Sequence, residues 1–349
     1  VYTEPTEMAG DASLTELVEE MKAGQVEVLV IAGANPVYAA PADLGFAEAL
    51  ERVPLRIHHG LSLDETAVQC QWHLPAAHPL ESWSDARATC GTVSIVQPLI
   101  APLYGGLSAH ELVAAFIEDS EPKGYEILRE HWMEVLGDDD FEAKWSRALH
   151  DGVVAGTAYP EKPVAVTPGA WTRTISERAP GLEIAFRTDP GVFDGRFANL
   201  GWLQEVPRPL TKLTWDNAAL MSPNTAEKLG GFKVEETGAG HVSEVVELRY
   251  RGRTVKAPVW ILPGHPDDSV TVHLGFGRSR AGRVGDAVGF DAYALRTSDG
   301  RWFGGGLEVE RTGETMLMAC TQDHWTIENT PHEAAGDRHL VRSATLEVV

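Results

Sequence analysis

Sulfur chemistry has little to work with in this chain: its 349 residues hold three cysteines, Cys70, Cys90 and Cys320, with no C-x-x-C spacing among them. That excludes a cysteine cradle for zinc or for an iron–sulfur cluster; three separate buried thiols are the expected state, with a disulfide between two of them as the alternative. Long apolar runs are missing as well. No stretch approaches the ~18 apolar residues that cross a bilayer, and no charged-then-apolar leader opens the chain. The first residue is a valine, so the visible start is expected to be a boundary within a longer protein, with any export signal ahead of it. Positive charge is scarce too, with 29 basic residues against 51 acidic ones and a net charge of −22. The deficit is uneven: residues 1–150 carry 25 acids and 8 bases. Such a surface excludes nucleic acid and anionic lipid as partners. It leaves two readings open, adaptation to salt or solubility on one side and an acidic docking face for a cationic electron carrier on the other.

What is present describes an ordinary globular chain, 43% hydrophobic and 23% charged, and its length suits two domains. Leu14, Leu17, Val18 and Met21 fall at helical spacing behind Ser13, a candidate N-cap with Glu16 three residues on. Val26 to Ile31 is an apolar run broken only by Glu27, which predicts a strand covered on both faces. A helix is expected near Ala42 to Arg52, a strand from Leu55 to His58, a helix from about Asp64 and a strand from Cys70 to Leu74. That rhythm predicts a parallel α/β sheet. A strand over Thr92 to Val96 and helices over Ser108 to Glu118, Tyr125 to Leu136 and Phe141 to His150 complete a first domain, residues 1–155. Residues 156–179, rich in Gly, Pro, Thr and Ala, read as a linker.

From residue 180 to 349 the pattern changes to short alternating strands. Leu182 to Arg187, Val245 to Tyr250, Thr254 to Ile261 and Val270 to Leu274 are expected strands, the middle two joined by a turn at Arg251-Gly252. A single short helix is expected from Ser222 to Leu229, stopped by Gly230. Many strands with little helix predict a small closed barrel.

Several motifs carry chemistry. Gly33-Ala34-Asn35-Pro36 directly follows the first strand, where the carboxyl ends of parallel strands form a ligand crevice. Glycine there admits a phosphate or a ring edge, and asparagine both donates and accepts; a plain tight loop is the alternative. Asp64, Glu65 and Thr66 read either as a helix cap or as groups approaching the same crevice. His73 and His78, with Glu81 and Asp85 nearby, lack the spacing of paired metal ligands; buried, hydrogen-bonded histidines are expected, with a proton acceptor beside a redox partner as the alternative. No metal site and no catalytic residue is assigned. Gly275-Phe276-Gly277-Arg278 mimics a dinucleotide fingerprint, but no helix follows, so a nicotinamide site is rejected. Arg278, Arg280 and Arg283 are left to an acidic partner or a solvated loop. Gln322, Asp323 and His324 offer an Asp-His pair with no nucleophile motif, and are assigned to an interface or to barrel closure.

Taken together, Gly33-Ala34-Asn35-Pro36, the run from Asp64 to Gly106 and Thr321-Gln322-Asp323-His324-Trp325 resemble the molybdopterin oxidoreductases, in particular the molybdopterin-oxidoreductase-like, iron–sulfur subunit of alternative complex III. The resemblance covers nearly all of the chain and matches the later, cysteine-poor part of that subunit. It implies an α/β domain followed by a double-psi β-barrel, in which Ser222 to Gly230 resembles the short helix entering the barrel. It places Gly33, Asn35, Pro36, Asp64, Glu65, Thr66 and His73 in a pterin-dinucleotide crevice, vestigial or working. In that family the large domain is understood to hold no pterin, so no cofactor is expected on this part of the chain, and iron–sulfur clusters are expected only outside it. The implied setting is a quinol-oxidising respiratory complex at the periplasmic face of the cytoplasmic membrane, with iron–sulfur and cytochrome c subunits as partners. An active molybdenum or tungsten enzyme with two pterin dinucleotides is the alternative, and a periplasmic binding or interaction module is a third reading.

Overall fold

Residues 13–117, 123–161, 163, 181–237 and 240–321 are described by the structure, a computed structural model. The chain divides into two units, Val1–Glu177 and Arg178–Val349. In the first, α1 (Leu14–Lys22) opens on a capping box: Ser13 Oγ accepts from the Glu16 amide at 3.1 Å while the Glu16 carboxylate accepts from the Ser13 amide at 2.6 Å. Then come β1 (Val28–Ala32), α2 (Pro36–Ala39), α3 (Phe46–Leu50), β2 (Leu55–Gly60) and β3 (Trp72–Pro75). The helix expected over Ala42 to Arg52 is split, because Gly45 takes a left-handed φ of 63° between a 3₁₀ turn and α3. The helix expected from Asp64 is only a 3₁₀ turn, Ala67–Gln69.

Strands β1, β2 and β3 form a parallel sheet in that order, with Val30 beside Ile57 and Ile57 beside Trp72, and Ile31 beside His58 and His58 beside His73. Val18, Met21, Ile31, Leu44, Phe46, Ala49, Leu50 and Val53 pack as one core. Ile31 therefore marks the covered face. The opposite face carries Val28, Val30 and Trp72, which are 53%, 39% and 61% exposed. This corrects the expectation of a strand covered on both faces. An apolar run shows that a strand can be buried on two sides, and says nothing of which packing elements are at hand.

The rest of the first unit is a second, separate packing layer. Strands β4 (Ser84–Arg87), β5 (Val93–Val96) and β6 (Val153–Val154) form an antiparallel sheet, so the parallel sheet stops at three strands. Helices α4 (Ala109–Ile117), α5 (Gly124–Leu136) and α6 (Phe141–Asp151) accompany it. Val93, Ile95, Leu128, Trp132, Phe141 and Trp145 make its core, and Trp132 Nε1 donates to the Asp85 carboxylate at 2.9 Å.

In the second unit the order is β7 (Leu182–Thr188), α7 (Gly201–Glu205), β8 (Leu213–Thr214), β9 (Ala219–Met221), α8 (Pro223–Lys228), β10 (Val234–Thr237), β11 (Gly240–Tyr250), β12 (Arg253–Ile261), β13 (Ser269–Leu274) and β14 (Phe303–Cys320). Six of these strands close on themselves: β11 pairs with β12, β12 with β9, β9 with β13, β13 with β7, β7 with β14, and β14 again with β11. The pairs β9/β12 and β7/β13 are parallel and the others antiparallel. Closure removes the open edges of these strands. Alternation fills the interior: Ile184, Phe186, Val270, Val272 and Leu274 are fully buried. The turn Arg251-Gly252 has both residues at positive φ, as a two-residue hairpin requires. Ser222 caps α8 through the Thr225 amide.

Candidate functional site

The loops at the carboxyl ends of β1 and β2 bring the sequence-selected residues together. The Gly33 amide donates to the His59 carbonyl at 2.8 Å, and Gly33 sits at φ +66° with nothing within 4 Å of where a Cβ would stand, so its backbone is open to approach. Asn35 is engaged on both sides of its amide. Its Nδ2 donates to Glu65 Oε2 at 2.7 Å, and its Oδ1 accepts from the Thr66 hydroxyl at 2.7 Å and the Thr66 amide at 3.2 Å. Thr66 Oγ1 in turn accepts from the Val37 amide at 3.1 Å. Pro36 opens α2 at its first turn, where no backbone N–H is needed. Glu65 and Thr66 are buried.

Asp64 closes the second half of the site. Its Oδ1 accepts from the Thr66 and Ala67 amides at 3.1 and 2.9 Å, which is the capping role read from sequence, and it lies 3.6 Å from His58 Nε2. His58 is 1% exposed, and its Nδ1 meets His73 Nδ1 at 3.0 Å with the rings stacked 5.2 Å apart. Burial of the His73 ring, with His58 beside it, lowers its pKa, so the imidazole is held neutral. His59, also buried, hydrogen-bonds through Nε2 to the Leu107 carbonyl at 2.9 Å. Sequence reasoning missed His58 and His59. The signal was there, two adjacent imidazoles closing the apolar strand at the crevice end.

Asn35, His58, His59, Asp64, Glu65, Thr66 and His73 include two carboxylates and no lysine or arginine. A dinucleotide needs cations or free amides for its phosphates, and Asp64 and Glu65 oppose that charge. One N–H and the Oδ1 of Asn35 are taken by Glu65 and Thr66, and the Thr66 hydroxyl by Asn35 and the Val37 amide. These residues do not fit the anionic half of a pterin dinucleotide.

The other sequence-selected residues are not part of this cluster. His78 is exposed rather than buried; its Nδ1 accepts from the Leu80 amide at 3.1 Å, and its amide donates to Glu81 at 3.0 Å. Arg278 is 6% exposed, so it does not face a partner. Its guanidinium donates to the Gly195 carbonyl at 2.9 Å and the Arg280 carbonyl at 3.2 Å, which ties loops of the second unit. The neighbouring Gly277 is required by close packing, since a Cβ there would stand 2.2 Å from the Asp291 amide nitrogen. Gln322, Asp323 and His324 lie outside the described residues. Cys70, Cys90 and Cys320 form no disulfide with one another, and each is half-buried rather than buried as expected. Among the described residues no group of three or more His, Cys, Asp or Glu could hold a metal ion, and no helix is long and apolar enough to cross a membrane.

No family model matches the chain. It is 26% identical over 273 residues to the menaquinone reductase, molybdopterin-binding-like subunit of Nitratidesulfovibrio vulgaris, a match covering 74% of this chain and 37% of that protein. The chain thus spans well under half of the curated relative it matches. In fold it is similar to the acetylene hydratase from Pelobacter acetylenicus, with a TM-score of 0.52 at 14% identity, over 88% of this chain and 46% of that one.

Proposed function

We propose that the chain is the α/β and barrel portion of a molybdopterin-oxidoreductase-like subunit of a quinone-linked respiratory complex, serving as a frame for electron-transfer partners. The named similarity to a menaquinone reductase subunit supports the complex, and the likeness to acetylene hydratase supports the fold. The observation that carries the scaffold reading is Asn35 held between two buried partners, Glu65 on its Nδ2 and Thr66 on its Oδ1. Groups that would meet a cofactor are spent on one another, and the charge that remains is of the wrong sign. Within this reading the six-stranded ring is a double-psi barrel, its two parallel pairs being the ones such a crossover needs. The setting is the periplasmic face of the cytoplasmic membrane, with iron–sulfur and cytochrome c subunits as neighbours, as in alternative complex III. The chain's contribution to rate is then geometric, holding carriers at fixed separation rather than making or breaking bonds.

An active molybdenum or tungsten enzyme is the competing reading, favoured by the open backbone at Gly33. Metal and pterin analysis of the complete subunit, purified with its neighbours, separates the two. Iron without molybdenum or tungsten is expected; either metal in stoichiometric amount with pterin overturns the scaffold.

A further inference from the structure

One feature of the first unit is not used by a scaffold: a row of Asp64, buried His58 and half-buried His73. We propose that Asp64, His58 and His73 form a relay that fixes His73 as a base, its Nε2 lone pair offered to a neutral ligand with a weakly acidic O–H or N–H. The relay stands on geometry and holds whether or not the scaffold reading does.

The tautomers follow from hydrogen-bond accounting. A single proton lies between His58 Nδ1 and His73 Nδ1, 3.0 Å apart. Were it on His58, a neutral His58 would turn a bare, buried Nε2 toward the Asp64 carboxylate, lone pair against negative charge. Placed on His73, it lets His58 carry its own proton on Nε2, facing Asp64 Oδ1 at 3.6 Å. That distance is too long for a hydrogen bond, and His58 Nε2 is a buried atom with no hydrogen-bond partner. The attraction is therefore a charge–dipole contact, and it still orders the two tautomers. His73 is left with Nδ1 protonated and Nε2 bare, and that nitrogen makes no hydrogen bond among the described residues. The charged and titratable groups acting on His73 are Asp64, which favours its protonation, and His58 and His59, which oppose it. Because the one carboxylate acting on His73 is Asp64 and no cation among the described residues stands beside it, the ligand class is neutral rather than anionic. His58 and Asp64 are positioning residues; His73 is the group that touches the ligand.

Nitrogen-15 NMR of the full chain, labelled at histidine, reads the tautomers directly. His73 is expected with Nδ1 protonated and Nε2 bare at pH 7.5; a protonated Nε2 overturns the relay. Asp64→Asn keeps an oxygen for the Thr66 and Ala67 amides and removes the charge, and it should turn the single His73 tautomer into a mixture. An unchanged His73 in that variant overturns the role of Asp64. Hydroquinone and uracil, neutral O–H and N–H donors, distinguish the two sources of ligand: the one that shifts His73 Nε2 saturably identifies the class. If neither shifts it at millimolar concentration, the base faces no ligand and the proposal fails.

Discussion

Two sheets of this protein, one in each unit, meet the same problem in opposite ways. In the second unit six strands close into a ring and bury Phe186, Val272 and Leu274 inside it. In the first unit three parallel strands bury one face only and leave Val28, Val30 and Trp72 exposed on the other. A closed ring completes its own hydrogen bonding and core, whereas an open parallel sheet depends on what lies against it. The difference shows where the stability of the molecule is concentrated and where its chemistry is placed. The crevice groups gather at the ends of the open sheet.

Substitutions test that contrast. The largest effects are expected in the second unit. Arg208 and Asp189 pair at 3.1 Å with both side chains buried, and Arg208→Ala, which strands the carboxylate, should cost about 3–5 kcal/mol in denaturant unfolding. Phe186→Ala, which empties part of the ring interior, should cost a similar ~3–5 kcal/mol. A loss below about 1 kcal/mol in both would mean that the ring is not the stable part. At the crevice, Asn35→Ala breaks the hydrogen bonds to Glu65 and Thr66 and is expected to cost about 1–3 kcal/mol, because it leaves buried partners unsatisfied. On the bare face, Trp72→Ser should change stability by no more than about 0.5 kcal/mol. A loss near that of Phe186→Ala would show that the face is covered in solution.

The pH dependence sharpens the comparison, since each unit holds histidines whose pKa is lowered by burial. His73 lies in the first unit, and His265 and His273 in the second. When the folded-state pKa lies below the unfolded value near 6.5, the unfolded chain binds the extra protons as acid is added. Stability is then full above that value and falls as the pH drops through it toward the folded pKa. His273→Gln should flatten part of this slope in urea titrations between pH 7.5 and 5.5; an unchanged slope would remove His273 as a source.

Much of this was legible in the sequence, because local chemistry fixed it. Ser13 with Glu16, Ser222 with Thr225 and the Arg251-Gly252 turn are short-range devices, and the strands from Leu182 and Ser269 show their alternation openly. Asn35, Asp64, Glu65, Thr66 and His73 were grouped by the family resemblance, and contacts link Asn35 to Glu65 and Thr66, and Asp64 through His58 to His73. What stayed hidden was long-range. The glycines at the start of β14 disguised an 18-residue strand that pairs with both β7 and β11 and so closes the ring. The hairpin of β4 and β5 was masked by polar residues, and the pairing of His58 with His73 depends on a strand register that the adjacent imidazoles do not reveal. Arg278 misled because a cation beside glycines suggests a surface loop, while three-dimensional packing buries it under carbonyls.

The central claim is that Asn35 is held by Glu65 and Thr66 and that Asp64 and Glu65 oppose any incoming phosphate. Titration of the chain with GDP, followed at the side-chain amide resonances of Asn35, tests it most directly. The expected result is no shift up to millimolar nucleotide, with Asn35 held by Glu65 and Thr66 throughout; a saturable shift of the Asn35 amide would contradict it.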